Sequence, residues 1–211
     1  MSDAKKLLET FEGSGAAHGT TVVGRVGRNG KAESDSRVVR GVLTEEKIQQ
    51  HIEGKMGVGS IPINQDNMCK FGALDIDTYD LDLKALNKKV HEMKLPLIMC
   101  RSKSGGAHLY LFTKDWEPAA LVREYLTEMS VALGYSGCEI FPKQDKILAD
   151  RGDVGNFINM PYFGGDITTR YALNAKGDSM TLAEFHKVVA KVRVSASDLD
   201  SLTFGGERSH F

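Results

Sequence analysis

Phe71-Gly72-Ala73-Leu74-Asp75-Ile76-Asp77 is an apolar run that ends in two carboxylates one residue apart. Side chains on a strand alternate between faces, so in an extended segment over 69–77 Asp75 and Asp77 point one way while Ile76 points into a core. Acids at such positions lie ~7 Å apart along the strand, close enough to share divalent cations. In-line phosphoryl transfer uses two ions about 3.5–4 Å apart, so the pair points toward phosphate chemistry. A competing reading is a simple strand cap, because Asp77-Thr78-Tyr79-Asp80 has the composition of a turn and acids close turns by bonding nearby amides.

Upstream of this strand, residues 3–12 read as a short helix with Leu7, Leu8 and Phe11 on one side, broken by Gly13-Ser14-Gly15. Gly19 to Val26 has β-branched strand content, and Arg28-Asn29-Gly30 supplies a turn before a second, polar strand up to Val42, which predicts a two-stranded ribbon. Thr44 is placed to cap a helix over 45–53 that Gly54 ends, and 57–63 reads as a strand that Asn64 to Asn67 turns into the acidic one. Downstream, Leu83, Leu86, Val90 and Met93 keep to one stripe of a helix over 81–93, stopped by Pro96. Strands over 97–100 and 107–112 flank the polar loop Arg101 to Gly106. A helix over 118–133 has Pro118 in its first turn and Gly134 just past its end. Short strands follow over 138–141, 156–160 and 170–173. Thr181-Leu182-Ala183-Glu184 is a capping box, with Met180 and Phe185 as a hydrophobic staple. Short strands, hairpins and covering helices predict the α+β class rather than a regular βαβ sheet.

The chain of 211 residues is long enough to bury a substantial core, and 41% hydrophobic with 26% charged residues is ordinary for a soluble domain. No window approaches the ~20 apolar residues of a membrane span, and the N-terminus lacks the apolar run of a signal peptide, so the expected location is the cytosol. Cys69, Cys100 and Cys138 are odd in number, widely spaced and set in apolar segments, which predicts reduced core thiols; with no CxxC pair, no zinc site is expected. A net charge of −1 is evidence against a protein that simply coats nucleic acid by bulk attraction. Local clusters such as Arg25, Arg28, Lys31 and Arg37, or Lys143, Lys146 and Arg151, remain available to phosphates or as solvated surface.

Two further pieces belong with Asp75 and Asp77. Ser102-Lys103-Ser104-Gly105-Gly106-Ala107-His108 combines glycines that let backbone approach a ligand with hydroxyls, an ammonium and an imidazole, the composition of a phosphate cradle. A lone histidine beside a strand also serves as a structural hydrogen bonder. Glu139 is an acid on an otherwise apolar short strand, followed by Phe141-Pro142-Lys143-Gln144, and it reads either as surface or as the third member of a metal triad.

Asp75-Ile76-Asp77, the Ser104 to His108 turn, Glu139 to Gln144, and Gly155-Asn156-Phe157-Ile158-Asn159-Met160-Pro161-Tyr162-Phe163-Gly164-Gly165 resemble, in order, the archaeo-eukaryotic primase superfamily, most closely the primase-polymerase domains of mobile elements, phages and TOTE conflict systems. The resemblance covers roughly residues 40–175 and rests on the ordered set rather than on any one motif. It implies an archaeo-eukaryotic primase-like core: an N-terminal αβ unit and an RRM-like unit with a mostly antiparallel sheet, in lobes of about 1–68 and 69–202, then a tail or linker over 203–211. It implies a template-directed DNA primase or polymerase that joins (d)NTPs on single-stranded DNA with two Mg²⁺ or Mn²⁺ ions, during replication and beside a helicase that is fused or separate. By position, Asp75, Asp77 and Glu139 match the metal-binding acids, with Asp153 as the fallback for the third. His108 matches the histidine that contacts nucleotide phosphates, joined by Ser102, Lys103, Ser104, Gly105 and Gly106. Lys143, Asn156, Asn159 and Arg170 are assigned to template or primer. The turn is one residue shorter than in relatives, so either Ser102 or Ser104 supplies its hydroxyl.

Three other activities compete. A restriction-like nuclease would place its lysine one residue beyond the glutamate on the same strand, whereas Lys143 lies past Pro142, which interrupts a strand. A non-catalytic module that binds template for a helicase gains only repulsion from carboxylates near phosphates. A sugar transferase with a DxD metal site lacks here the nucleotide-binding βαβ opening.

Overall fold

The computed structural model describes residues 1–26 and 32–202. The expected turn at Arg28-Asn29-Gly30, the side chains of Arg25, Arg28 and Lys31, and the tail from Thr203 lie outside the described residues.

Local chemistry sets most of the elements. The Ser2 hydroxyl accepts the Lys5 amide and opens α1 (Asp3–Thr10), which buries Ala4 and Leu7. β1 (Ala17–Val26) and β2 (Ala32–Arg40) form the ribbon, with Gly19 opposite Val38. Thr44 caps α2 (Glu45–Ile52) by accepting the Lys47 amide, and β3 (Gly57–Ser60) returns along β1. β4 (Met68–Ile76) is the acidic strand; it stops one residue short of Asp77, and Asp82 then caps α3 (Leu83–Glu92). β5 (Ile98–Arg101) and β6 (Ala107–Pro118) form a hairpin, and α4 (Ala119–Leu133) ends at Gly134 in the left-handed conformation. β7 (Glu139–Phe141) and β8 (Ile158–Asn159) are short. The Thr181 and Glu184 capping box opens α5 (Leu182–Val192), and α6 (Ala196–Asp200) closes the described chain.

Two antiparallel sheets result, one in the order β2-β1-β3-β8 and the other β5-β6-β4-β7. The second lies in the middle of the molecule. Leu74, Ile76, Leu109 and Leu111 face Leu86 and Val90 of α3 and Val122 and Leu126 of α4. Phe71, Ala73, Tyr110 and Phe112, one residue out of phase, face Phe11, Val58, Met160 and Phe185 beneath the first sheet, α1 and α5. Burial on both faces explains why residues 109–112 read as an unbroken apolar run rather than an alternating one.

Three details differ from the sequence expectation. Pro118 ends β6 with an extended ψ of 133° and sits one position before α4, not inside its first turn. Residues 170–173 form no strand: the Tyr171 carbonyl and the Leu173 amide bond Arg101 and Met99 at the edge of β5, and isolated pairings are all that follow. The lobe division at residue 68 is crossed by β8, which comes from the later half of the chain and pairs Asn159 with Gly59 in the first sheet. Cys69 and Cys100 are buried free thiols and Cys138 a half-buried one, as expected. Among the described residues no helix is long and apolar enough to cross a membrane.

Candidate active site

Register, more than proximity in sequence, assembles the site. On the second sheet Asp75 of β4 is paired with His108 of β6 on one side and with Glu139 of β7 on the other. Cys100 of β5 extends the row as the partner of His108. Directly paired residues in antiparallel strands project from the same face with Cβ atoms about 4.5–5.5 Å apart. The row Cys100, His108, Asp75, Glu139 therefore opens on the face that carries Tyr110 and Phe112, toward the first sheet.

His108 is fixed from both ends. Its Nε2 lies 3.4 Å from Asp75 Oδ1, and its Nδ1 lies 3.2 Å from the Tyr110 hydroxyl. That hydroxyl donates to the Asn159 carbonyl at 3.3 Å, so β8 of the first sheet is tied through Tyr110 to the row on the second. Burial, then Cys100 and Asp75, holds the Tyr110 phenol well above its ordinary pKa, which keeps it a donor.

The turn before β6 is latched to the second acid. Ser104 Oγ donates to Asp77 Oδ1 at 2.9 Å and lies 3.1 Å from Ser102 Oγ. The Ser102 amide bonds the Gly106 carbonyl at 2.9 Å. Gly105 has φ +93°, and a Cβ on Gly106 would stand 2.3 Å from the Ile76 carbonyl oxygen, so both glycines are required to lay this turn against the end of β4. Ser104 meets Asp77, while Ser102 is buried behind it.

Beside His108 is a tight crevice, with no room for a water-sized molecule, lined by Ser102, Lys103, Asn159, Pro161 and Arg170 among others. Arg170 is only 6% exposed, and its guanidinium lies 4.8 Å from the Phe163 ring centre. Its Nη1 is buried with no hydrogen-bond partner. Burial lowers the Arg170 pKa against the opposing pull of Tyr110, and burial followed by the Arg170 charge lowers that of Lys103.

The sequence-predicted residues thus fall into groups. Asp75, His108 and Glu139 share one row, with Asp77 beyond the end of β4 and held by Ser104. Ser102, Lys103 and Arg170 line the same crevice as His108. Lys143 pairs with Glu139 at 3.2 Å and lies over Phe141. Asn156 accepts from Gln144 at 2.7 Å, whereas the Asn159 side chain accepts from Thr21 at 3.3 Å, so the two asparagines serve different neighbours. Asp153 accepts the Leu148 and Gly155 amides and closes a loop. Tyr110 and Phe163 escaped the sequence reading. The signal for Tyr110 was present, since it stands two residues after His108 and so on the same strand face; Phe163 meets Arg170 only through loop geometry.

Hard carboxylate oxygens suit Mg²⁺ or Mn²⁺. Among the described residues no group of three His, Cys, Asp or Glu side chains converges into a ready cage. The backbone register nevertheless fits such ions, because it sets Asp75 and Glu139 side by side with Asp77 just beyond. Each acid is turned instead to a protein partner: Asp75 to His108, Asp77 to Ser104 and Glu139 to Lys143.

Residues 27–199 match a family described as the archaeo-eukaryotic primase domain of TOTE conflict systems. Among solved structures, the chain is similar to the AEP domain of the cyanophage S-2L primase-polymerase, with 14% identity over 89% of this chain and 96% of that chain and a TM-score of 0.46. No curated protein sequence matches the chain.

Proposed function

Because the chain belongs to the archaeo-eukaryotic primase family of TOTE conflict systems, a family of nucleotidyltransferases, we propose that it is a template-directed DNA primase or polymerase that extends a strand on single-stranded DNA from (d)NTPs. The observation that carries this reading is the row of Asp75, His108 and Glu139 beside a cationic crevice. Asp75, Asp77 and Glu139 would hold two divalent ions, which when bound supply neutralisation of phosphate charge and a lowered pKa for the attacking hydroxyl. A 3′-hydroxyl oxygen bonds the α-phosphorus and gives its proton to water, the bond to the bridging oxygen breaks, and pyrophosphate leaves with the pair of electrons.

The chain's own residues position these parts. His108, held by Asp75 and Tyr110, presents a ring edge at the crevice, and Lys103 adds a cation at its mouth. The Ser104 turn brings a hydroxyl to Asp77, where the phosphates and the acids meet. Lys143, on the far side of Glu139, is placed for sequence-independent contact with template or primer backbone. The family's link with conflict systems fits a role in contests between genomes as well as in replication; the bond formed is the same.

The test is primer-dependent and primer-free synthesis by the purified chain with Mg²⁺ or Mn²⁺, a single-stranded template and labelled nucleotides. Growing products with release of pyrophosphate are expected, and Asp75→Ala with Asp77→Ala should abolish them while leaving the circular dichroism spectrum unchanged. Template degradation would instead make the protein a nuclease, and template binding without turnover a passive module.

A further inference from the structure

The first sheet ends on a strand with an open edge. β2 is the outer member of the order β2-β1-β3-β8, and among the described residues its only ladder is the one it forms with β1, regular from Ser34 to Arg40. Every second residue of β2 therefore directs its backbone N–H and C=O outward, where another extended chain can add to the sheet. Ala32–Arg40 contains no proline and no lysine, two residues that commonly blunt such an edge. The charges it does carry are ordered. Asp35 and Arg37 stand on either side of Ser36, the midpoint of the strand, and so share one face. Their side chains are 75% and 64% exposed, and their charged atoms lie 3.8 Å apart. So exposed a contact does little for the monomer, which leaves both charges free to serve a neighbour.

We propose that the β2 edge is a homodimer interface, with a second copy of this chain as its partner. Antiparallel pairing of two β2 strands about Ser36 sets Arg37 opposite the partner's Asp35 and Asp35 opposite the partner's Arg37. The same register pairs the whole strand, from Ala32 against the partner's Arg40 to the converse. A centre one residue away is penalised in either direction. About Asp35 the two carboxylates of that residue meet, and about Arg37 the two guanidiniums do. Like charges thus reject the neighbouring registers while opposite charges select this one. Val38, 46% exposed, is set opposite the partner's Ser34 and gains cover. Two four-stranded sheets join into one through their β2 strands. A single ladder is small beside the roughly 1,600 Å² of a standard interface, so the dimer is reversible and forms in the micromolar range. The inference stands apart from the polymerase reading, because no residue of the acidic row takes part.

The experiment is sedimentation equilibrium of the purified chain from micromolar to several hundred micromolar concentration. Wild-type protein should pass from monomer to dimer, with slower amide hydrogen exchange over residues 34–38 at the upper end. Asp35→Arg and Arg37→Asp should each weaken the dimer at least about tenfold, because either change alone sets like charges opposite one another. The double variant Asp35→Arg with Arg37→Asp should regain wild-type association. An equimolar mixture of the two single variants should form heterodimers more tightly than either forms homodimers. Both side chains are exposed, so the dilute variants should unfold at the wild-type temperature, and that measurement keeps a folding defect from passing as lost association. A chain that stays monomeric across the range overturns the proposal. A dimer without slowed exchange over 34–38, or one that the single changes leave intact, also overturns it by placing the interface elsewhere. A double variant as weak as the single ones does the same, since the loss would then not come from paired charge.

Discussion

Protonation of His51 should loosen the fold in a defined pH window. The ring is fully buried; its Nδ1 accepts the Val58 amide at 3.0 Å, and its Nε2–H donates to the Pro161 carbonyl at 2.8 Å. Both nitrogens are in use in the neutral form, and a second proton would leave the Val58 amide without an acceptor. Burial, aided by the Arg170 charge and opposed by the Pro161 carbonyl, pushes the pKa from 6.5 down to about 4. The sign follows from the lowered value. Above pH 6.5 the ring is neutral in both folded and unfolded chains and contributes no pH dependence. As pH falls, the unfolded chain takes up a proton that the folded one refuses, and stability is lost down to about pH 4, where the native ring also protonates. Each pH unit inside the window costs about 1.4 kcal/mol, so at pH 5 the loss is about 2 kcal/mol. His51→Gln cannot titrate and satisfies only one of the two backbone partners, at a cost of about 1–3 kcal/mol near pH 7. The gap between wild type and His51→Gln should therefore narrow by about 2 kcal/mol between pH 7 and pH 5. With a urea slope of about 2 kcal/mol/M, the two midpoints should converge by about 1 M. A gap that stays constant across this range would refute the argument. The effect reaches the site, because His51 packs edge-on against Phe163 at 5.5 Å and Phe163 carries Arg170.

Tyr110→Phe removes the hydroxyl between His108 and the Asn159 carbonyl; the variant should be about 1–3 kcal/mol less stable by urea unfolding and turn over about tenfold more slowly through loss of an orienting partner, with template affinity by fluorescence anisotropy unchanged. Glu139→Gln and Asp153→Asn separate the two candidates for the third acid. The first should lower synthesis at least about 100-fold, about 2.7 kcal/mol of transition-state stabilisation, with the unfolding midpoint little changed. The second should leave synthesis within a few-fold and weaken only the loop that Asp153 closes through the Leu148 and Gly155 amides. The opposite pattern would transfer the role to Asp153.

What the sequence disclosed, and what it did not, divides by the range of the forces involved. Thr44 and the pair Thr181 and Glu184 marked helix starts because a cap is settled within four residues, and the structure has these bonds. The β1–β2 ribbon was legible for the same reason, from strand content around a turn. β8 was placed as a strand, but its pairing with β3 depends on residues about a hundred positions away, and nothing local in Ile158 or Asn159 specifies it. Asp75 and Asp77 alternate correctly with Ile76, yet β4 ends before Asp77, whose side chain direction is set by Ser104 from the neighbouring hairpin. Arg170 was assigned to template or primer, and nothing local in the sequence marks it as buried, since charged residues seldom are; the packing of Phe163 and the edge of β5 puts it inside.

The resting partners of the acids bear on how such a site stays folded without its ligands. Three carboxylates around one strand end would repel one another and favour disorder of the β4 end. Each is instead met by a group of the kind that phosphate oxygens also seek: an imidazole at Asp75, a hydroxyl at Asp77 and an ammonium at Glu139. The Glu139–Lys143 pair is half-exposed and so weak, of the order of 0–1 kcal/mol, which makes exchange of its members cheap. On the function proposed above, substrate phosphates and cations would enter together, the anions drawing away His108, Ser104 and Lys143 as the acids acquired new positive partners. Arg170 is the exception in this scheme, because within the described structure its Nη1 has no hydrogen-bond partner to give up.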